Sequence, residues 1–270
     1  MKIDWAKLDD PNVDQVKAQN LGSVLFGWVD WDERTSQERS VHEAIVKGFP
    51  RFAIQGSDPK AGLDTKKACL WEIQKETYGE PFRVFHQFKG SCVGNGAGQA
   101  ANTLMAVEAL LKKEQEEVKF PLFWLHAYGW SRKLAGWDST GEGSFGSTMA
   151  KALIEYGMFN NDEFPSLPKA VISAEGGLNW GAENEIKYSA VKNHPAEWEG
   201  AGKKHLIGNA AQIKSADEAH VALANGYPMT IASNWGGNMQ CPVVEGVLLN
   251  SQRIFPWPHQ MSVHGVWIHD

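Results

Sequence analysis

Cys92 stands in the segment HQFKGSCVGNG, after a Gly-Ser pair and before a glycine-rich run. A thiol attacks a carbonyl carbon as the thiolate, and the pKa of a free cysteine is about 8.5. The N-terminus of a helix lowers that pKa, because its unpaired N–H groups and its dipole stabilise a negative charge. An apolar stripe with helical spacing starts directly after Cys92, so the sequence predicts a nucleophilic cysteine at a helix start. The alternative is a small apolar side chain buried in a tight turn.

His259 and Gln87 are the side chains best placed in the sequence to assist this thiol. His259 opens the strand-like segment HQMSVHGVW, and a histidine that ion-pairs with the sulfur favours the thiolate. Gln87 offers an amide donor which, with the backbone N–H of Cys92, would form an oxyanion hole. The three residues predict acyl transfer through a thioester, with no metal ion and no organic cofactor. On an extended strand, the face of His259 would also carry Met261, Val263, Gly265 and Trp267.

The remaining cysteines and histidines do not predict a metal site. The three cysteines lie far apart and include no CxxC pair, which argues against a disulfide framework and structural zinc. We expect Cys69 and Cys241 to be structural thiols. His259, His264 and His269 recur at five-residue intervals, so on a strand the first and last are about 33 Å apart. His264 would lie on the opposite face, as a packed or surface histidine.

The element that presents Cys92 is a long helix directly after it. Its first turns contain Gly94, Gly96 and Gly98, and each glycine costs about 1 kcal/mol relative to alanine in a helix interior. Three glycines in five residues predict that another part of the chain packs very near this backbone. The apolar stripe comprises Val93, Ala97, Ala100, Leu104, Val107 and Leu111.

Around this element the sequence predicts helices first and strands last. Ser147 and Ser215 are candidate N-caps, and Glu218 stands at capping-box spacing from Ser215. Three strand-like segments, YPMTIAS, VVEGVLLN and HQMSVHGVWI, follow residue 226. We therefore expect an α+β fold in two parts, with a boundary near 205–228. The other predicted elements are a short helix ending at Gly79, an extended arm at 81–88, helices at 120–136, 147–157 and 215–226, and a largely irregular stretch at 160–205.

Five segments, in this order along the chain, resemble the papain-like cysteine peptidase family, in a divergent bacterial or phage form. They cover roughly residues 81–268 and read HQFKGSCVGNGAGQAAN, FPLFWLHAYGWSRKLAG, GSFGSTMAKALIEYGMF, SADEAHVALANGYPMTIAS and HQMSVHGVW. The resemblance implies that Cys92 is the nucleophile, His259 the base and general acid, and Gln87 the oxyanion donor. It also implies two lobes with a cleft between them, a helical lobe with a long central helix followed by an antiparallel β-barrel-like lobe.

Three features depart from the family pattern. Gln87 precedes Cys92 by five residues, where the family has six, which weakens its assignment as oxyanion donor. Cys92 and His259 are 167 residues apart, beyond the ~130–150 of papain-type enzymes, and an insertion within 160–205 would absorb the difference. No asparagine follows His259 before Asp270, so the residue that orients the imidazole is not identified.

Composition narrows the remaining classes of function. The 270 residues carry a formal net charge of −6 with no basic stripe, so we expect no nucleic-acid partner. The first fifteen residues lack an apolar core and no run of 18 apolar residues occurs, so we expect no signal peptide and no membrane span, and a cytoplasmic or virion-associated protein. The twelve tryptophans are expected mainly in the core or between lobes.

These observations predict three regions: an accessory or docking segment at 1–80, a helical lobe with the nucleophile at 81–205, and a β lobe with the catalytic histidine at 206–270. The β lobe is incomplete if the orienting asparagine lies beyond Asp270. The function predicted is hydrolysis of a protein or peptide substrate. Two alternatives stay open: a non-catalytic structural protein on the same scaffold, such as a virion component that docks to a larger assembly through residues 1–80, and a Cys-His amidase or acyltransferase.

Overall fold

The fold comes from a computed structural model that describes residues 35–50, 67–80, 83–111, 121–174, 176–233, 243–244, 247–248 and 259–267. Residues 234–242, which hold Cys241, lie outside the described residues, as does His269. The helices are α1 (Ser36–Gly48), α2 (Leu70–Tyr78), α3 (Cys92–Leu111), α4 (Trp124–Leu134), α5 (Gly146–Glu155), α6 (Ala182–Lys187), α7 (Ala196–Gly202) and α8 (Ala216–Ala224), with a 3-10 turn at Val191–Asn193.

The strands are short and pair in twos, all antiparallel. They are β1 (Lys67–Cys69), β2 (Val171–Ile172), β3 (Leu178–Asn179), β4 (Met229–Ser233), β5 (Val243–Val244), β6 (Val247–Leu248), β7 (His259–Val263) and β8 (Gly265–Trp267). The pairs are β1 with β8, β2 with β3, β4 with β7, and β5 with β6. Within the described ranges these pairs form no closed barrel, so the fold shown is a mixed one of helices and small sheets.

The long helix α3 forms the centre of the fold, and its glycines explain how closely its neighbours pack. A Cβ on Gly94 would lie 2.5 Å from the Trp124 ring, and one on Gly98 would lie 2.8 Å from the same side chain. A Cβ on Gly96 would lie 3.3 Å from the Met261 backbone. The predicted close approach is therefore confirmed, with α4 against one side of α3 and β7 against another.

Aromatic side chains fill the core on the α4 side of α3. Trp124 and Trp198 are each 1% exposed, and Phe123 makes edge-to-face contacts with Trp198 and Trp180. Such contacts contribute beyond the area that they bury. Trp71 departs from the expectation that tryptophans are mainly internal, because on α2 it is 46% exposed.

Several helix limits match the sequence prediction, and two caps do not. Gly79 ends α2 in the left-handed region with φ 85°, and Ser215 caps α8 by accepting from the Glu218 N–H. The Glu218 carboxylate, however, accepts from the Lys214 N–H rather than from the cap residue, so the reciprocal capping box is not formed. Ser147 is not an N-cap, because α5 already begins at Gly146.

The stretch 160–205, predicted to be largely irregular, contains short regular elements that the sequence did not indicate. It contains the β2–β3 hairpin and the helices α6 and α7. These two helices have six and seven residues, too few to show an apolar period in the sequence. Tertiary packing stabilises them instead, since Trp198 on α7 is buried in the aromatic core.

The predicted C-terminal strand is two strands that change partner at His264. Its carbonyl accepts from the Leu70 N–H at 2.8 Å, and its ring contacts Thr103 Oγ1 and Ser262 Oγ. Before it, β7 pairs with β4, and after it, β8 pairs with β1. The prediction of one continuous face from His259 to Trp267 is therefore wrong, while His264 is packed as expected.

The described parts of the N-terminal eighty residues pack on the rest of the chain. Trp137 donates its indole N–H to Glu38 on α1 at 2.9 Å, and Gln212 donates to the Val46 carbonyl at 2.6 Å. Gln74 on α2 donates to Thr103 on α3 at 2.6 Å. The division at residues 80 and 205, and an accessory or docking role for 1–80, stay predictions.

Candidate active site

Cys92 is the first residue of α3, as the sequence predicted. The bond from the Asn95 N–H to the Ser91 carbonyl, 3.0 Å long, opens this helix. The Cys92 side chain is 1% exposed and lies at the edge of the main apolar core. A sulfur at this position is next to the free N–H groups of the first helical turn, which favour the thiolate.

The strand β7 passes directly against this sulfur. The backbone N–H of Gln260 donates to Cys92 Sγ at 3.4 Å, although the two residues are 168 positions apart. His259 immediately precedes Gln260 and is half-buried. The close approach of Gly96 to the same strand allows this contact, because a larger residue there would press on the backbone of β7.

His259 is held in a desolvated environment. Burial lowers the pKa of His259 to about 4, because a low-dielectric surrounding disfavours the charged imidazolium. The ring is therefore neutral at pH 7 and has a lone pair that can accept a proton.

Buried and exposed side chains alternate along β7. Gln260 is 3% exposed, whereas Met261 is 41% exposed. The side of β7 that carries Gln260 therefore faces the interior beside α3, and Met261 is directed outward.

Gln87 is half-buried, and its amide is engaged within its own loop. Its Nε2 donates to the carbonyl oxygen of Lys89 at 2.6 Å. The amide is thus tied to the turn that leads to Cys92, and its role as oxyanion donor stays a prediction.

The loop between Gln87 and Cys92 is bound by two glutamates that the sequence analysis did not single out. Glu185 on α6 accepts from the backbone of residues 88 and 89 and from Ser91 Oγ. Glu142 accepts from the Gly90 N–H at 2.7 Å. No local sequence signal marks Glu185, because its three partners lie 94 to 97 positions away.

A tyrosine and a backbone amide hold the same loop from the other side. Tyr128 Oη donates to the Gly90 carbonyl at 3.0 Å, and the Gly143 N–H donates to that carbonyl at 2.7 Å. Burial raises the pKa of Tyr128, so its hydroxyl keeps its proton and stays a donor at neutral pH. Arg132 in turn donates to the carbonyls of Glu142 and Gly143, each at 2.6 Å.

A largely apolar cavity of about 500 Å³ lies beside β7. Its lining includes Ala97, Leu104, Gly146, Met149, Met229 and Gln260. Gln260 thus both lines this cavity and donates from its backbone to Cys92. A Cβ on Gly146 would lie 2.8 Å from Gln260 Oε1, so this glycine leaves room for the amide.

Neither a metal centre nor a membrane span is found in the part of the chain that the structure describes. Within those residues no three His, Cys, Asp or Glu side chains converge on a position where an ion could bind. None of the helices described there combines the length and the apolar character needed to cross a bilayer.

Comparison with known proteins relates the chain to others through its fold. No family model and no curated protein matches it. Its structure is similar to that of xylellain, a cysteine protease from Xylella fastidiosa, with a TM-score of 0.55 and 18% sequence identity. The similarity covers 90% of this chain and 80% of xylellain. The chain therefore has a fold similar to that of this cysteine protease.

Proposed function

We propose that this protein is a cysteine peptidase that hydrolyses peptide bonds through Cys92 and His259, with Gln87 as a donor to the oxyanion. The observation that carries the proposal is the 3.4 Å bond from the Gln260 N–H to Cys92 Sγ. It joins the strand that starts with His259 to a cysteine at a helix start, within a fold similar to that of a cysteine protease.

The reaction needs the Cys92 proton to pass to His259, and a thiolate beside the ring favours the imidazolium, against the burial that lowers the pKa of His259. His259, neutral at pH 7, accepts the proton of Cys92, and the thiolate attacks the carbonyl carbon of the scissile peptide bond. The backbone N–H of Cys92 and the side-chain amide of Gln87 donate to the oxyanion of the tetrahedral intermediate. The carbon–nitrogen bond then breaks, and the imidazolium of His259 protonates the departing amine.

The second half of the reaction releases the acyl group. His259 accepts a proton from a water molecule, whose oxygen attacks the thioester carbonyl. The carbon–sulfur bond breaks, the carboxylic acid leaves, and the proton returns to the Cys92 sulfur. The apolar cavity beside Gln260 lies next to this chemistry and is suited to a substrate side chain. Residues 1–80 would serve as an accessory or docking segment.

Alkylation of Cys92 as a function of pH tests the central pair without knowledge of the substrate. We expect iodoacetamide to label Cys92 at pH 6 at least about tenfold faster than a free thiol, whose pKa is about 8.5. The His259→Ala variant should lose this fast labelling, while His220→Ala, which changes a histidine on α8, should keep it. Labelling that rises only near the free-thiol pKa would contradict the pair.

Peptide hydrolysis tests the activity itself. Wild-type protein should cleave members of a fluorogenic peptide library, and Cys92→Ala should abolish cleavage. Fast labelling without cleavage of any peptide would favour the amidase or acyltransferase alternative. Slow labelling together with no cleavage would favour a non-catalytic scaffold.

A further inference from the structure

We infer that Glu185 is a positioning residue, whose buried carboxylate holds residues 88–91 in the conformation that directs Cys92 and Gln87 toward the substrate. The inference deepens the proposed function and rests on it for its catalytic consequence. Its structural part, the hold on the loop, is measurable without any substrate.

Both oxygens of Glu185 are used by this loop. Oε1 accepts from the Phe88 N–H at 3.1 Å, and Oε2 accepts from the Lys89 N–H at 3.1 Å and from Ser91 Oγ at 2.6 Å. The residue is 1% exposed, so water does not replace a lost donor. A buried acceptor left without its donors costs about 1–3 kcal/mol, and more when it is charged.

The bound segment connects the two groups that the reaction needs. Ser91 is covalently joined to Cys92, and the Lys89 carbonyl accepts from the Gln87 amide. A shift of the Lys89 peptide therefore moves the Gln87 side chain, and a shift of Ser91 moves the sulfur. A misplacement of about 1 Å at a reacting group can reduce a rate by about 100-fold.

Glu142 supports the same loop, but from the surface. It accepts from the Gly90 N–H and is itself exposed, unlike Glu185. Three consecutive N–H groups, of residues 88, 89 and 90, thus end on carboxylates, and the buried carboxylate holds two of them. An exposed carboxylate is readily replaced by water, so we assign the positioning role to Glu185.

The charges around Glu185 set the pH at which the role should be measured. Burial, with a smaller contribution from the charge of Glu142, raises the pKa of Glu185 to about 7 against the opposing effect of the bonds from Ser91, Phe88 and Lys89. Tyr128 on α4 also faces this cluster and stays neutral. At pH 8 the Glu185 carboxyl is mainly ionised. A measurement at this pH therefore compares the charged carboxylate of the wild type with the neutral amide of Glu185→Gln.

The test compares Glu185→Gln with Glu183→Gln at pH 8. Both substitutions remove one negative charge from α6, but Glu183 is exposed. In Glu185→Gln we expect hydrogen exchange of the amides at 88–91 to rise at least about tenfold, and kcat for a cleaved peptide to fall at least about tenfold with KM within twofold. Loss in kcat alone marks an interaction made in the transition state. Glu183→Gln should match the wild type in both.

Ser91→Ala provides a second variant in case Glu185→Gln does not fold. It removes the shortest of the three bonds and keeps the carboxylate, so we expect a smaller fall in kcat, about three- to tenfold. Exchange or kcat values equal to those of Glu183→Gln would overturn the inference. A wild-type protein that cleaves no peptide would refute the peptidase proposal, while the exchange rates would still decide whether Glu185 holds the loop.

Discussion

At the scale of single residues, replacing Tyr128 measures how much the hydrogen bonds to the Gly90 carbonyl contribute to stability and to kcat. Its hydroxyl donates to the Gly90 carbonyl, which keeps the Gly143 N–H as a second donor. Tyr128→Phe should therefore cost about 1 kcal/mol of stability, the net contribution of one hydrogen bond, and reduce kcat only severalfold. Chemical denaturation and peptide kinetics measure the two effects, with Tyr78→Phe at a 41% exposed site as control. A loss above about 3 kcal/mol would mean that Gly143 cannot hold the carbonyl alone.

Among the single residues of the site, some could be predicted from the sequence and others could not. Cys92 was predictable because its signal is local, a thiol directly before a helical stripe. Glu185 was not, because Glu183 and Glu185 stand on the same short helix and differ only in what the fold brings to them. The engagement of Gln87 with Lys89 depends on a turn geometry that residue types alone do not fix.

At the scale of elements, substitutions of the α3 glycines distinguish contacts that pack the core from contacts that position the histidine strand β7. Gly94→Ala would push a methyl group into the buried Trp124 ring, and we expect a loss of about 2–3 kcal/mol from overpacking. Gly96→Ala meets the β7 backbone at 3.3 Å, where a shift of a few tenths of an ångström is offset by a helix-propensity gain of about 1 kcal/mol. Its stability should thus change by less than about 1 kcal/mol, while kcat falls severalfold because β7 carries His259. Gly200→Ala, with nothing within 4 Å, should be neutral or slightly stabilising with kcat unchanged.

Denaturation and kinetics of the three variants measure these contrasts. If Gly96→Ala kept full kcat, the contact between α3 and β7 would not position the histidine strand.

The apolar period of the sequence predicts some of these elements and misses others. It predicts α3 and the strand β4, yet it misses the short α6 and α7 and the break at His264, where the partner strand changes without any change in composition.

At the scale of the whole molecule, the first and the last described strands pair with each other. Lys67 on β1 pairs with Trp267 on β8, so a strand inside the predicted accessory segment completes a sheet with the last strand. The helices-then-strands order predicted a mixed fold, but a pairing across 200 positions carries no local signal. The α+β class could therefore be predicted from the sequence, but the pairing of β1 with β8 could not.

Buried histidines should make the stability of the whole molecule depend on pH. Burial lowers the pKa of His126 to about 3, and the pKa values of His194, His259 and His264 to about 4 each. Because unfolded histidine titrates near 6.5, the unfolded chain takes up protons first as the pH falls, and stability decreases from pH 6.5 downward until the folded pKa values are reached. His126 alone can contribute at most about 2 kcal/mol of this loss between pH 6.5 and 5, at about 1.4 kcal/mol per pH unit. Glu185 acts in the opposite direction, since its raised pKa makes stability increase as the pH falls from 7 toward 4.5, but one such group opposes four histidines.

Denaturation midpoints between pH 8 and 5 measure this dependence. We expect a decrease below pH 6.5 that is shallower in His126→Gln, a variant that cannot be protonated at this position, and unchanged in His220→Gln on α8. The two variants lose the same ionisable group, so a difference between their slopes reports burial rather than net charge. Equal slopes in the wild type and His126→Gln would mean that this histidine takes up its proton without unfolding, and that the aromatic core around Trp198 admits water.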